Sequence, residues 1–246
     1  MLYLVPTPVG NLEDMTFRAV RILKEVSLIL AEDTRTSSPL LKHYEINTPL
    51  QSHHLFNEHE SVKHIVQRLK TGEDIALITD AGTPGISDPG FLLVRECIKE
   101  DVKVECLPGA TAFVPALIDS GFPCDKFCFE GFLPHKKGRL SRLTELKEEK
   151  RTIVFYESPF RVGKLLMELK DIFSEDRKVC ISREISKKFE QHLRGSLGEM
   201  AQIYKDTQFK GEIVVILSAV EKEEKTKNSS SNKYKQDYKF VDTNLY

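Results

Sequence analysis

The sequence predicts an α/β protein of two α/β domains, the first built on a mostly parallel sheet and the second on a mixed one. Three observations carry that expectation. Short apolar runs alternate with helical periodicity through the first half of the chain. Gly- and Pro-rich turns follow directly on several of the runs, where parallel strands hand over to helices. The pattern changes near residue 119, at the turn cluster Asp119-Ser120-Gly121-Phe122-Pro123. The expected units are therefore 1–118 and 119–220. Beyond them, 221–246 is rich in Lys, Glu, Ser and Asn with few large apolar residues, and reads as a flexible polar tail.

The elements follow in order. Leu2–Val5 reads as a first strand. Phe17, Val20, Leu23 and Val26 recur at helical spacing behind Asp14 or Thr16, either a good N-cap. Ser27–Ala31 is a second strand. Val62, Ile65, Val66 and Leu69 mark a helix that Gly72 ends. Strand Ile75–Ile78, a helix with Phe91, Val94 and Ile98, strand Val102–Leu107 and helix Ala110–Ile118 complete the first unit. The second holds a strand at Lys126–Phe129, a helix with Leu140, Leu143 and Leu146, and strand Thr152–Tyr156. After these come a helix carrying Val162, Leu165, Leu166, Leu169, Ile172 and Phe173, a strand at Lys178–Ile181, a helix near 196–205, and strand Glu212–Leu217.

At 246 residues with 40% hydrophobic composition and a net charge of −1, the chain can bury a real core and is not disordered throughout. No apolar run approaches the ~18 residues a transmembrane helix needs, and the N-terminus lacks the basic start of a signal peptide. The five cysteines, at 97, 106, 124, 128 and 180, sit in apolar runs and read as buried thiols of a cytoplasmic protein. The net charge hides an asymmetry. Residues 1–118 hold 11 Lys/Arg against 16 Asp/Glu, whereas 119–220 hold 19 against 16. An acidic half beside a basic half is compatible with a polyanionic partner or with ordinary fluctuation.

Three turns stand out for chemistry. Pro6–Asn11 follows the first strand, with two prolines and Gly10. Thr79–Gly90, containing Asp80, Ala81, Gly82, Pro84 and Ser87, exposes many backbone groups between strand and helix. Pro108-Gly109-Ala110-Thr111-Ala112 leaves free N–H groups at a helix start, suited to an anion such as a carboxylate. Any one could be a mere chain reversal; three on neighbouring strand ends favour a shared pocket. There is no G-x-G-x-x-G, P-loop or G-x-S-x-G motif. Neither His53, His54, His59 and His64 nor Cys124 and Cys128 have metal-ligand spacing, so no metal is expected. A second set mixes carboxylates with guanidinium groups at strand ends: Glu32, Asp33 and Arg35; Glu157 and Arg161; Arg183, Glu184, Lys187 and Lys188. Each suits a substrate cleft or a salt-bridge network.

Eight ordered segments make the chain recognisable: L-V-P-T-P-V-G-N-L (4–12), A-E-D-T-R (31–35), T-D-A-G-T-P-G-I-S-D-P-G (79–90), P-G-A-T-A (108–112), F-C-F-E-G-F-L-P (127–134), F-Y-E-S-P-F-R (155–161), S-R-E-I-S-K (182–187) and G-E-I-V-V-I-L (211–217). Over 2–218 the sequence resembles the tetrapyrrole methylase-like (class III) S-adenosylmethionine methyltransferases, in the branch that methylates small-subunit ribosomal RNA. The resemblance implies S-adenosylmethionine held in a cleft between the two domains. It implies 2′-O-methylation of cytidine 1402 in 16S rRNA, free or in the 30S subunit, by a cytoplasmic homodimer. For such a cofactor the backbone-rich turns suit orientation, and contacts are expected at Pro8, Gly10, Asp80, Ala81, Gly82, Pro84, Ser87, Pro108, Gly109, Ala110, Thr111, Tyr156, Gly211 and Glu212, with the Gly109–Thr111 N–H groups meeting the methionine carboxylate. A positioned base would help the weak 2′-hydroxyl nucleophile, and Glu32, Asp33, Glu157 and Glu184 are the candidates, with Arg35, Arg161, Arg183 and Lys187 able to grip phosphates. Glu157 is taken as nearest the chemistry, the catalytic set expected is Glu157, Arg161, Glu32 and Arg35, and RNA contacts are expected at Arg183, Lys187 and Lys188. Two features depart from the family pattern: Phe160 stands where a His is common before Arg161, and only the polar tail follows residue 220. Rival readings are a class III methyltransferase for a tetrapyrrole or other small molecule, and a non-catalytic rRNA-binding module.

Overall fold

The computed structural model describes residues 1–53 and 58–220. The expected tail and His54 lie outside the described residues, and so does the side chain of His59. Two sheets organise the chain. The first comprises β1 (Leu2–Leu4), β2 (Leu28–Ala31), β3 (Leu50–Ser52), β4 (Ile75–Ile78) and β5 (Val104–Cys106) in the order β3-β2-β4-β1-β5, every pair parallel. The second comprises β6 (Phe127–Phe132), β7 (Thr152–Glu157), β8 (Lys178–Arg183), β9 (Gln191–Ser196) and β10 (Ile213–Leu217) in the order β6-β7-β10-β8-β9. Only β6 and β7 pair in parallel, so this sheet is mixed as expected.

Burial explains the strand composition. β2 and β4 are buried along their whole length because helices cover both faces of the parallel sheet. On one face α1 (Phe17–Glu25) and α2 (Thr34–His43) pack; on the other lie α3 (Glu58–Lys70) and α4 (Phe91–Lys99). Thr16, rather than Asp14, caps α1, its hydroxyl accepting the Ala19 N–H at 3.0 Å. In the second half, α6 (Arg139–Glu145), α7 (Val162–Ile172) and α8 (Leu197–Tyr204) cover one sheet face around fully buried Phe155, Leu165 and Val215. Ser196 and Glu199 close a capping box on α8.

The opposite face of the second sheet is covered by α5 (Phe113–Asp119), which comes from the first half. Ala116, Leu117 and Val9 bury there against Val154, Val214 and Ile216. The two halves are thus joined by a hydrophobic seam, and Arg194 adds a hydrogen bond to the Asp119 carbonyl.

Three elements escaped the sequence pattern. α2 contains Thr, Ser and Pro39 in place of an apolar stripe, and holds because Asp33 caps it. β3 is three residues long, and β9 is largely polar. α5 starts at Phe113, not Ala110, so Gly109–Thr111 precede the helix. Of the cysteines only Cys97 and Cys180 are buried; Cys106, at the end of β5, and Cys124, in the loop before β6, are exposed, and Cys128 is intermediate, packed at the edge of the second core. No helix among the described residues is long and apolar enough to cross a membrane.

Candidate active site

The order β2-β4-β1-β5 sets the C-terminal ends of these strands side by side, so the turns that follow them converge on one edge. A paired backbone bridge ties two of the turns: Thr7 N–H donates to the Gly82 carbonyl, and Gly82 N–H to the Thr7 carbonyl, both at 2.9 Å. Gly82 adopts φ 84°, which only glycine takes at no steric cost. Opposite stand the ends of β6, β7 and β8 and the start of β10. A cleft of about 440 Å³ opens between the two edges, the size of a small-molecule site.

Of the expected cofactor residues, Asp80, Ala81, Gly82, Ser87, Thr111, Tyr156, Gly211 and Glu212 line the cleft. Pro8, Gly10, Pro84, Pro108, Gly109 and Ala110 do not line it. Gly10 and Gly109 build the wall from behind. A Cβ on Gly109 would lie 2.6 Å from Pro6 Cβ, and one on Gly10 would lie 2.8 Å from the Ile185 carbonyl. The glycines let turns cross closely, while their neighbours Val9, Thr83, Thr111 and Phe113 face inward. Asp88, Phe132, Ser158, Ile185 and Val214 also line the cleft. Asp88 and Phe132 stand inside the recognisable segments, and that was their only sequence signal.

The described lining carries five carboxylates, Glu32, Asp80, Asp88, Glu157 and Glu212, and no Lys, Arg or His. Burial, reinforced by Asp80, pushes the Asp88 carboxyl up to about 6. Glu32 is raised by burial and then by Asp88 and Asp80, and Asp80 is raised chiefly by burial. Burial also pushes the Tyr156 phenol up to about 12. Arg35 does not enter the cleft: it turns back on Asp33, with Nη2 at 2.6 Å from Oδ2, and holds that carboxyl down at about 2.

Glu157 is placed differently from the expected base. Its side chain is buried and saturated. One oxygen accepts Arg161 Nε at 2.7 Å and the Ser158 N–H at 2.8 Å; the other accepts Arg139 Nη2 at 3.0 Å. Arg139, itself buried, reaches on to Glu168 at 2.8 Å. A carboxylate whose two oxygens each hold a guanidinium is committed to that network, so the geometry gives Glu157 the task of fixing Arg161. Arg161 does not line the cleft; its Nη1 meets His135 Nδ1 at 2.8 Å at the mouth.

Among the residues expected on RNA, Lys187 is claimed by Glu184 at 3.0 Å and Glu212 at 3.2 Å. Its stem packs over Gly10, so it clamps the two halves. Arg183 Nη1 donates to Gln191 Oε1 at 3.3 Å, and Lys188 is exposed beside the Phe189 ring. Glu184 and Ser186 both take positive φ, 53° and 62°, in this turn. Of the histidines weighed for metal, His53 is buried against Ser61 and His64 is exposed on α3. A group not anticipated, Asp119, Glu190 and His192, brings its ligand atoms within 4.8 Å of one another. The imidazole there is engaged by Glu190 at 3.0 Å and Ser182 at 2.9 Å.

A parallel sheet and a mixed sheet closing on one acid-lined cleft define a known class. Residues 1–201 match the family of tetrapyrrole (corrin/porphyrin) methylases. The fold superposes on a cobalt precorrin-4 methyltransferase with a TM-score of 0.65 and 17% identity, covering 88% of this chain and 94% of the other. A Thermus thermophilus uroporphyrin-III C-methyltransferase complexed with S-adenosyl homocysteine gives 0.62 and 20%, covering 88% and 96%. Sequence relatives are more specific. Proteins named ribosomal RNA small subunit methyltransferase I are 46% identical in both Pseudomonas aeruginosa and Thermotoga maritima. The first match covers 88% of this chain and 78% of the relative, the second 89% and 99%. The chain belongs to the tetrapyrrole methylase family and, within it, to the ribosomal RNA small subunit methyltransferase I group. It is a methyltransferase of the S-adenosylmethionine-dependent kind.

Proposed function

We propose that the cleft serves transfer of a methyl group from S-adenosylmethionine to the ribose 2′-hydroxyl of cytidine 1402 in 16S rRNA. The observation that carries this reading is the charge pattern. Five carboxylates line the interior without a described cationic side chain, while Arg161 lies outside the lining and meets His135, on a loop that exposes Lys136 and Lys137. A carboxylate wall attracts a cation and repels phosphate. It fits a sulfonium cofactor, and it admits a sugar while leaving the phosphates of a nucleic acid at the rim. The nucleotide position rests on the motif resemblance.

Asp80–Gly82, Ser87, Thr111, Tyr156, Gly211 and Glu212 would hold the cofactor, with Pro8, Gly10, Pro84 and Pro108–Ala110 keeping those walls in place. Bound there, it supplies an electrophilic methyl group. The protein's own part is alignment of the ribose oxygen, since a displacement is fastest in line. A 2′-hydroxyl is a weak nucleophile and gains from a positioned base. Asp88, half-buried and raised to about 6, is ionised at neutral pH yet more basic than an ordinary aspartate. With Glu32 beside it, it replaces Glu157 as the proton acceptor. Arg161, Arg183 and Lys188 take phosphates, and Lys187 and Arg35 act through the ion pairs described above.

We read 1–118 and 119–220 as two domains whose seam is the cleft, 221–246 as a polar tail, and the working form as a cytoplasmic homodimer. The test is transfer of labelled methyl from S-adenosylmethionine to 30S subunits, naked 16S rRNA and tetrapyrrole precursors in parallel. Mapping by primer extension sensitive to 2′-O-methylation should stop at cytidine 1402. Transfer only to the precursors, or to none, would overturn the reading.

A further inference from the structure

The mouth of the cleft is built from different chemistry than its interior. Phe132, at the end of β6, lines the cleft and is 54% exposed, its ring 5.5 Å from that of Tyr156. Ser158 and Pro159 carry the lining out along the turn after β7. Phe160 follows them directly and is 79% exposed. The turn is held in place rather than loose. Arg161 is gripped by Glu157 inside and meets His135 outside, which ties the turn after β7 to the loop after β6. That loop presents Lys136 and Lys137 to solvent.

Phe132 thus lines the cleft and Phe160 stands exposed one residue beyond its lining at Pro159, on a turn that Arg161 and His135 tie to the loop carrying Lys136 and Lys137. Folding alone favours burying a phenylalanine, and single exposed apolar residues need no explanation. Here one ring lines the cleft, the other follows directly on its lining, and the two loops that carry them also carry the cations. That combination matches single-stranded nucleic acid, whose bases stack on aromatic rings while its phosphates meet positive charge.

We propose that Phe160 and Phe132 form a stacking lip for the unpaired bases of the RNA at the cleft mouth, with Lys136, Lys137 and Arg161 taking the adjoining phosphates. The proposal rests on the rRNA reading above and specifies how that substrate is gripped. A base splayed onto the lip leaves its ribose at the entrance, and the carboxylate interior then keeps the phosphodiester from following. Duplex RNA, its bases stacked on one another, has no free face to offer.

The chain contains no tryptophan, so Phe160→Trp installs a single emitter at the lip. Its fluorescence should be quenched by a single-stranded oligoribonucleotide carrying the target cytidine, and left unchanged by the same sequence as a duplex or by polyphosphate. Phe160→Leu, which keeps apolar bulk and removes the π face, should raise the KM for 30S subunits roughly 5- to 100-fold. It should leave kcat, the Kd for S-adenosylmethionine and Tm close to wild type. If wild-type protein methylates rRNA while Phe160→Leu keeps its KM and Phe160→Trp is not quenched, the lip is wrong and the rRNA reading stands. If wild-type protein transfers no methyl to any ribosomal substrate, the underlying reading fails. Quenching that depends on protein concentration without RNA would make the lip a self-association face and overturn the proposal.

Discussion

Replacing Asp88 by Asn should stabilise the protein at alkaline pH, although it alters the proposed active site. Burial and the neighbouring Asp80 raise its carboxyl from the ordinary 3.8 to about 6. A raised carboxyl means that the ionised form is disfavoured in the folded state. Its penalty is absent below about 3.8, develops between 3.8 and 6, and is complete above 6. The gap between the two values corresponds to at most ~3 kcal/mol at 1.36 kcal/mol per decade, and solvent screening of this half-exposed carboxyl brings it to ~1–2 kcal/mol. At pH 8 the Asn variant escapes all of it; at pH 4.5 about a third of it remains. For a chain of this length, each kcal/mol moves Tm by roughly 2–4 °C, so the variant should melt ~2–8 °C higher at pH 8. Differential scanning fluorimetry across pH 4.5–8.5 reads this directly. A variant no more stable than wild type at pH 8, or one with the same gain at every pH, would refute the electrostatic account. Methyl transfer should fall at least 100-fold if Asp88 is the proton acceptor.

Further expectations follow from the same geometry. S-adenosylmethionine carries a sulfonium charge that S-adenosylhomocysteine lacks, so calorimetric titration should show the preference for the former shrinking as pH drops through about 6, where Asp88 is neutralised. Equal pH dependence for both ligands would count against a carboxylate wall facing the sulfonium. Glu157→Gln should cost ~3 kcal/mol in urea unfolding because Arg139 loses a buried partner, and should raise the KM for RNA with kcat reduced only a few-fold. A well-folded variant with kcat down 100-fold or more would restore Glu157 as the base. Gly10→Ala pushes a Cβ to 2.8 Å from the Ile185 carbonyl. It should lower stability by ~1–3 kcal/mol and weaken cofactor binding, and a neutral outcome would mean the two halves separate there at no cost.

Much of the fold was legible because its strands are buried on both faces. Leu28–Ala31 and Ile75–Ile78 read as continuous apolar runs for that reason. The elements that were not legible draw their stability from elsewhere: α2 from the Asp33 cap, β9 from pairing with β8. The site divides in the same way. The three turns were recognisable from glycine and proline alone, but those residue types mark where the backbone is forced to bend or cross, not what faces the ligand. Gly10 and Gly109 proved to be crossing points, and the lining passed to Val9 and Thr111. Carboxylates beside guanidiniums were ambiguous for a related reason. Sequence places Glu157 four residues from Arg161, and only the fold adds Arg139, 18 residues upstream, as the second guanidinium that saturates it.

The charge asymmetry illustrates what proximity adds. A net of −5 in residues 1–118 and +3 in 119–220 is compatible with a polyanionic partner on the basic half and the acidic half forming one side of the cofactor cleft. The cleft does not divide along that line. Glu157 and Glu212, from the basic half, face Glu32, Asp80 and Asp88 from the acidic one. Several cations of the second half are spent on carboxylates: Lys187 on Glu184 and Glu212, Arg142 on Glu130 and Glu145, Arg151 on Glu149. What distinguishes inside from outside is depth. Glu157 and Glu212 are compensated by Arg139, Arg161 and Lys187, which leaves Glu32, Asp80 and Asp88 for a positive ligand under the proposed function, while the lysines at 136 and 137 are exposed to solvent. Attraction for a cation at the bottom and for a polyanion at the rim then act on different parts of one bound complex. Raising salt should therefore weaken RNA binding steeply and leave cofactor affinity nearly unchanged, because the buried carboxylates are screened far less than the rim. Parallel titrations at 50 and 300 mM KCl would separate the two, and equal loss of both affinities would show that rim and interior do not act independently.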